Sequence, residues 1–284
     1  MPVIAFAHHK GGTGKTTSCL NIAGALNKQN KKVLVIDCDP QGNATAGLGL
    51  DTKNLNMAMD DIFLGATEEY DDVNIASIIK RTKSGIYLAP SSLDLVGAEP
   101  FLYGIEDRTS VLKKAIEPIK SRYDYILIDT PPSMGQFVIN GIVASDRVIV
   151  TLDTGDFALQ GINTLNEIFR DIDKNTGKKV IADIAILTRL TPKEEHEEKE
   201  VSFLESLMNR LFGKTEEEPE INPEFERQDR IISKVKKKFE TVFEIPYSTE
   251  IFESQKAGKP VSHYSPECEA AKKYSEIAEY LTKE

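Results

Sequence analysis

The chain has 284 residues and a formal net charge of −10, long enough to bury a substantial core and read as one large α/β domain over residues 1–284. No apolar run approaches the roughly 20 residues of a membrane-spanning helix, the start Met1-Pro2-Val3-Ile4-Ala5-Phe6-Ala7 lacks the features of a secretory leader, and the scattered Cys19, Cys38 and Cys268 fit reduced thiols; the expected location is the cytoplasm. The acidic balance argues against a molecule that binds nucleic acid over its whole surface, while a local basic patch can still create a favourable field.

In chain order, strands are expected at Val3–Ala7, Val33–Cys38, Ile86–Ala89, Tyr125–Asp129, Val148–Leu152, Ile181–Leu187 and Thr241–Ile245, with helices in most of the gaps. Short β-branched apolar runs alternating with helix-period segments are the pattern of a mostly parallel sheet covered on both faces, a doubly wound α/β fold. Residues 192–238 break the pattern and read as a helical acidic insertion. Acidic runs at Glu194–Glu200 and Glu216–Glu220 flank an apolar stripe of Val201, Leu204, Leu207, Met208 and Leu211, which either docks a partner or covers the domain's own surface. The following segment, Arg227 to Lys238, sets Ile231, Ile232 and Val235 against a basic face. The last stretch, from Pro266 to Leu281, is expected to be a helix packing Ala270, Ala271, Tyr274, Ile277 and Leu281 inward.

The sharpest feature is Lys10-Gly11-Gly12-Thr13-Gly14-Lys15-Thr16-Thr17, set between the first strand and a helical segment. Glycines let successive backbone N–H groups turn toward phosphate oxygens, and the helix that follows adds its partly positive N-terminus. In a loop of this type Lys15 reaches the β- and γ-phosphates and the Thr16 hydroxyl ligates Mg²⁺. A strict P-loop has glycine where this chain has His9, and Lys10 is an additional lysine. Asp129 closes an apolar strand before Thr130-Pro131-Pro132, the setting of a carboxylate that assists Mg²⁺, and Asp37 and Asp39 close the second strand on one face.

These residues resemble the ParA/Soj branch of the deviant Walker ATPases, within the P-loop ATPases that also include MinD. The resemblance rests on KGGTGKTT at Lys10–Thr17, VLVIDCDPQGNATAGLG at Val33–Gly49, YDYILIDTPPSMG at Tyr123–Gly135, APSSLDLVGAE at Ala89–Glu99, ASDRVIV at Ala144–Val150, ALQGI at Ala158–Ile162 and IPYSTEIFESQKAGKPV at Ile245–Val261. It implies an ATPase with ATP and Mg²⁺ as ligands, forming a homodimer on ATP binding in which Lys10 reaches the other subunit's nucleotide. Asp39 would orient the attacking water, Thr16, Asp37 and Asp129 would serve the metal, Gln41, Gly42 and Asn43 would form the first switch, and Pro246 would lie near the adenine. It further implies non-specific DNA binding by the ATP dimer, a ParB-type centromere-binding partner that stimulates a slow hydrolysis, a place on the nucleoid, and a role in plasmid or chromosome partition. The alternative is a MinD-like ATPase positioning a protein or membrane-associated complex.

Two departures bear on these expectations. His8-His9 stand where relatives often carry Asn-Gln; side chains of adjacent residues on extended backbone are expected to point apart, which disfavours a metal site, and the pair is expected to pack or hydrogen-bond near the loop. Glu250 stands where similar proteins often carry a DNA-contacting arginine. Lys234, Lys236, Lys237 and Lys238, with Arg227 and Arg230, are the candidate substitutes; the same residues also read as an ordinary solvated helix face.

Overall fold

The computed structural model describes residues 1–155, 158–191 and 223–283. Among the described residues the sheet has eight strands: β1 (Val3–Ala7), β2 (Val33–Asp37), β3 (Lys80–Arg81), β4 (Tyr87–Ala89), β5 (Tyr125–Asp129), β6 (Arg147–Leu152), β7 (Ile184–Leu190) and β8 (Thr241–Pro246). Their order is β3-β4-β2-β5-β1-β6-β7-β8. Every pairing is parallel except that of the two-residue edge strand β3 with β4.

The central strands read as continuous apolar runs because each face has its own helical layer. Alternate residues go to opposite cores. Val3, Ala5, Leu34, Ile36, Ile126 and Ile128 pack with the helices Met59–Leu64, Leu95–Leu102 and Gln136–Ala144 on one side. Ile4, Phe6, Val33, Val35, Tyr125 and Leu127 pack with the helices Lys15–Lys28 and Glu269–Lys283 on the other. The last helix buries Ala270, Ala271, Tyr274, Ile277 and Leu281, so its apolar face is engaged in the core. Among the described residues no helix is long and apolar enough to cross a membrane.

Three features differ from expectation. The edge strand β3 carries no apolar signal, being Lys80-Arg81 with both residues exposed. β7 starts three residues later than the sequence indicates and continues to Leu190, because β8 extends to Pro246 and pairs with Leu190 across a register irregularity; Arg189 sits in that irregularity with φ 58°. Of the expected insertion, residues 192–222, with both acidic runs and the apolar stripe, lie outside the described residues. Pro223–Lys236 is the helix that returns the chain from β7 to β8, with Ile231, Ile232 and Val235 in the core, and so belongs to the α/β frame.

β1 has β5 on one side and β6 on the other, so the chain leaves it at a point where connections diverge to both halves of the sheet. The carboxyl ends of β1, β2, β5, β6, β7 and β8 share one edge, and such a divergence opens the crevice where ligands of doubly wound sheets bind.

Candidate functional site

The loop after β1 lies in this crevice. Gly12 and Gly14 have φ of 79° and 85°, a left-handed conformation that glycine takes without penalty. Gly14 also has no room for a side chain, since a Cβ there would lie 2.9 Å from Thr188 Cγ2. The loop is tied to its neighbours: the Thr188 hydroxyl donates to Thr13 O at 3.2 Å, and the Thr13 and Thr151 hydroxyls are 3.1 Å apart. The helix Lys15–Lys28 that follows begins at Gly14 with no side-chain cap and no acidic residue in its first turn. Its N-terminal N–H groups and positive dipole end therefore face the crevice with no carboxylate of their own turn to cap them.

Lys15 is buried within the loop, its Nζ donating to Lys10 O at 3.2 Å. Burial lowers its pKa, while Asp129 and Asp39 nearby act to raise it. Lys10 is placed differently: its side chain is 38% exposed, and its Nζ lies 3.3 Å from Asp153 Oδ2 just beyond β6. The two loop lysines thus divide between an interior and a rim position.

Asp37 and Asp129 are directly paired in register on β2 and β5, and both are fully buried. Their hydrogen bonding separates them. Asp37 accepts from the Thr45 hydroxyl at 2.7 Å, Thr45 N at 2.8 Å and Asp39 N at 3.1 Å, so it is committed to holding the segment that follows β2. Asp129 Oδ2 accepts from the Thr16 hydroxyl at 2.6 Å, and its buried Oδ1 has no partner. Burial raises the pKa of both, that of Asp37 to about 7. A buried carboxylate oxygen without a donor, beside a threonine hydroxyl, fits an oxygen-seeking divalent cation. Asp39, 5% exposed, accepts Gln41 N–H on Oδ1 at 2.9 Å.

Two adjoining cavities complete the site. One of about 570 Å³ is lined by Gly11, Gly12, Lys15, Thr16 and Asp39; the other, of about 350 Å³, by Ile245, Pro246, Tyr247, Ile251 and Tyr274. They share Gly14, Thr17, Arg189, Phe252 and Gln255. A charged cradle continuous with a more apolar pocket matches the two ends of a nucleotide, and Pro246 falls at the apolar end. Lys10–Thr17, Asp37, Asp39, Asp129 and Pro246 are therefore gathered around one crevice. Thr188, Arg189 and Asp153 were not foreseen, and their sequence signal is their place at or just past the ends of β6 and β7; Phe252 and Gln255 fall within the segment Ile245–Val261 that carries the resemblance, where no role was expected of them.

The histidines pack and hydrogen-bond beside the loop as expected, but their side chains do not point apart. Their rings lie against each other, with centroids 4.7 Å apart and planes tilted by 36°. β1 ends at Ala7, so strand alternation no longer governs them, and both pack against Gly161, where a Cβ would be 2.5 Å from His8 Nε2 and 2.8 Å from His9 Cε1. His8 Nδ1 accepts Lys10 N–H at 3.1 Å. Burial, with lesser contributions from His9 and Lys15, lowers the His8 pKa to about 4, so the ring is neutral at pH 7.

The candidate DNA-contacting lysines are not part of this crevice. The helix Pro223–Lys236 leads to the amino end of β8, which puts Lys234, Lys237 and Lys238 toward the opposite edge of the sheet, while the Lys236 side chain reaches back along β8 to a separate cavity lined by Leu190, Thr191 and Pro246. All four are exposed. Lys236 Nζ pairs with Glu244 Oε1 at 2.7 Å, and Lys238 Nζ donates to Asn163 Oδ1 at 3.0 Å. Glu250 accepts from the Ser248 hydroxyl at 2.7 Å in the first turn of its helix.

A family model described as an AAA domain matches residues 1–182. The sporulation initiation inhibitor protein Soj of Bacillus subtilis is 31% identical over 280 residues, covering 97% of this chain and 96% of the relative. The chain belongs to the ParA/Soj family of P-loop ATPases. The chromosome partitioning protein ParA of Caulobacter vibrioides is 29% identical, with 97% of this chain and 92% of that protein covered. Among solved structures, the cobyrinic acid a,c-diamide synthase of Mycobacterium smegmatis with ADP and magnesium superposes with a TM-score of 0.75 at 26% identity, over 99% of this chain and 94% of that one. Its complex with an ATP analogue and magnesium gives a TM-score of 0.73, over 100% and 94% of the two chains at 26% identity. This ParA-family fold thus carries its deviant P-loop on an eight-stranded, mostly parallel sheet.

Proposed function

We propose that this ParA-family protein is an ATP-dependent dimerisation switch that hydrolyses ATP to ADP and phosphate and serves plasmid or chromosome partition, with Mg²⁺ as its metal. The observation that carries the reading is the division of labour between the loop lysines: Lys15 lies inside the cradle, and Lys10 stands half-exposed at its rim, held near Asp153. A lysine at the rim, 38% exposed, stands where a nucleotide bound by a second copy facing the crevice would come within its reach. The partition role itself rests on the likeness to Soj and ParA.

In this reading Lys15 and the backbone N–H groups of Gly12–Thr16 hold the phosphates, and the Thr16 hydroxyl and Asp129 hold the metal. A Mg²⁺ ion held by Thr16 and Asp129 would neutralise phosphate charge and polarise the bond to the transferred group. Asp39 uses Oδ2 to orient a water toward the γ-phosphorus; the water oxygen bonds to phosphorus as the bond to the bridging oxygen breaks, the electron pair stays with the ADP oxygen, and the water's proton passes to an oxygen of the released phosphate. Asp37 positions Asp39 and Thr45. Lys10 of each subunit compensates the other's triphosphate, so loss of the γ-phosphate weakens the dimer and hydrolysis becomes the release step. The ATP dimer binds DNA without sequence preference through Lys234, Lys236, Lys237 and Lys238, and a ParB-type partner accelerates a slow turnover in the cytoplasm, at the nucleoid.

The test is fluorescence anisotropy of two unrelated DNA duplexes with the Asp39→Ala variant, which is expected to hold ATP unhydrolysed. Salt-sensitive binding to both duplexes with ATP and not with ADP supports the reading. Equal absence of binding in both nucleotide states, with ATP binding verified, overturns the DNA role and favours a MinD-like positioning ATPase. The engagement of the Glu269–Lys283 helix in the core speaks against that helix acting as a membrane anchor.

A further inference from the structure

The two cavities of the nucleotide crevice meet at a side chain that the loop motifs do not include. Gln255 comes from the helix Thr249–Lys256 after β8 and lines both cavities, as does Thr17 on the helix that begins at Lys15. Gln255 Nε2 donates to Thr17 Oγ1 at 3.0 Å. The direction matters: a hydroxyl that accepts a hydrogen bond from an amide keeps its own proton for another acceptor. At the junction of the phosphate cradle and the apolar pocket, that acceptor is the part of a nucleotide common to its di- and triphosphate forms, the α-phosphate.

The backbone that carries Gln255 is fixed from both sides. Lys259 N closes onto Ser254 O at 3.0 Å, and Val261 N donates to Asn21 Oδ1 at 2.7 Å, which pins the chain after this helix to the Lys15–Lys28 helix. Gly258, at φ 65°, lies so close to Gly49 that a Cβ would be 2.6 Å from Gly49 Cα. Gly49 closes the short segment that follows Asp39. The Gln255 amide is thus held against the phosphate loop by a turn that also touches the chain leading from Asp39.

We propose that Gln255 is a nucleotide-positioning residue that acts through Thr17, fixing the Thr17 hydroxyl as a donor to the α-phosphate and linking nucleotide occupancy to the helix Thr249–Lys256. The inference rests on the crevice being a nucleotide site; it does not depend on dimerisation or DNA binding.

The experiment compares wild type, Gln255→Ala, Thr17→Val and the double variant as full chains, titrating ATP and ADP with Mg²⁺ by calorimetry. A hydrogen bond to a charged acceptor, lost through its positioning partner, corresponds to about a tenfold weakening. Gln255→Ala is expected to weaken ATP and ADP by this same factor, leaving their ratio unchanged, and to add less than about twofold when Thr17 is already valine. Hydrogen exchange in residues 249–258 should slow on ADP binding in wild type and not in Gln255→Ala. Gln255→Glu, which keeps the size but accepts the Thr17 proton and adds negative charge, is expected to bind both nucleotides more weakly than Gln255→Ala and serves if the alanine variant does not fold. Affinities of either Gln255 variant within twofold of wild type, a loss confined to ATP, or independent losses in the double variant overturn the proposal. A wild type that binds neither nucleotide overturns the nucleotide site itself.

Discussion

Asp129→Asn separates the cost of the buried carboxylates from their use. Asp37 and Asp129 lie side by side on β2 and β5, fully buried, and burial raises the pKa of each. Asparagine keeps the shape of Asp129; its carbonyl can take the Thr16 hydrogen bond, and its Nδ2 replaces the Oδ1 that has no partner. Exchanging a buried charge for a neutral group of equal volume is worth on the order of 2 kcal/mol. In a domain of this size each kcal/mol moves Tm by about 2–4 °C, so the ligand-free variant should melt roughly 5 °C above wild type at pH 8. The pH sign follows from linkage. A carboxyl whose folded pKa is raised stabilises the fold while protonated, and that contribution is lost as pH rises from the ordinary carboxylate range through the folded pKa. Wild type therefore recovers stability on going from pH 8 to pH 5, and the variant's advantage shrinks. Circular dichroism melts at both pH values, repeated with ATP with and without Mg²⁺, check this: Mg²⁺ should raise the Tm of wild type and not of the variant. A variant that melts below wild type at pH 8, or by the same margin above it at both pH values, refutes the buried-charge argument.

Other changes test the neighbouring parts. His8, held neutral with its pKa lowered to about 4, contributes stability above pH 6.5 that is lost as pH falls toward 4, by roughly 2–3 kcal/mol; urea unfolding should show His8→Asn losing less stability than wild type between pH 7 and pH 4.5, and equal losses refute the assignment. Gly14→Ala combines a left-handed φ with a Cβ 2.9 Å from Thr188, whereas Gly12→Ala meets nothing within 4 Å. The Gly12 change should cost about 1 kcal/mol and the Gly14 change about 2 or more by urea unfolding, and equal costs contradict the steric account. Lys178 donates to Ile142 O at 3.2 Å, Val143 O at 2.7 Å and Ser145 O, satisfying the carbonyl end of the helix Gln136–Ala144. Lys178→Met should destabilise by about 1–3 kcal/mol and speed hydrogen exchange in that helix.

The sheet and the phosphate loop were legible because their signals are local. Val3–Ala7 and Tyr125–Asp129 are uninterrupted apolar runs whose ends the sheet respects, and glycines at 12 and 14 mark backbone that other residues resist. What escaped depends on contacts between distant segments. β3 pairs through backbone alone, so Lys80-Arg81 announces nothing. Arg189 and Gln255 reach the crevice only because β7 and β8 continue the sheet outward from β1 and β6 with their carboxyl ends on the same edge, a juxtaposition of residues remote in sequence. The stacking of His8 on His9 is set by a glycine about 150 residues away in sequence, and β-alternation was the wrong rule for residues already past the end of their strand. For Asp37 and Asp129, both at strand ends, sequence gave the same role to two groups that hydrogen bonding divides: one braces the backbone, and the other keeps an oxygen free.

The placement of the basic patch bears on how nucleotide state would reach DNA in the proposed switch. Lys234, Lys237 and Lys238 lie toward the far end of the sheet from the crevice, and Lys236 already pairs with Glu244 on β8. A conformational signal from the γ-phosphate would have to cross the parallel sheet, whose central strands are fully buried and rigidly paired. Dimerisation needs no such signal: joining two copies at the crevices presents two weak patches on one body, and the second engagement becomes intramolecular. ATP would then control DNA affinity through valence. The expected signature is in salt dependence, since each neutralised phosphate adds a fixed increment to the slope of log affinity against log salt. The ATP-held Asp39→Ala dimer should show about twice the slope of the same variant with ADP, and Lys234→Ala combined with Lys237→Ala should lower both slopes in proportion. Equal slopes with ATP and ADP but a large difference in affinity would instead require a change within each subunit, and would sink the valence argument.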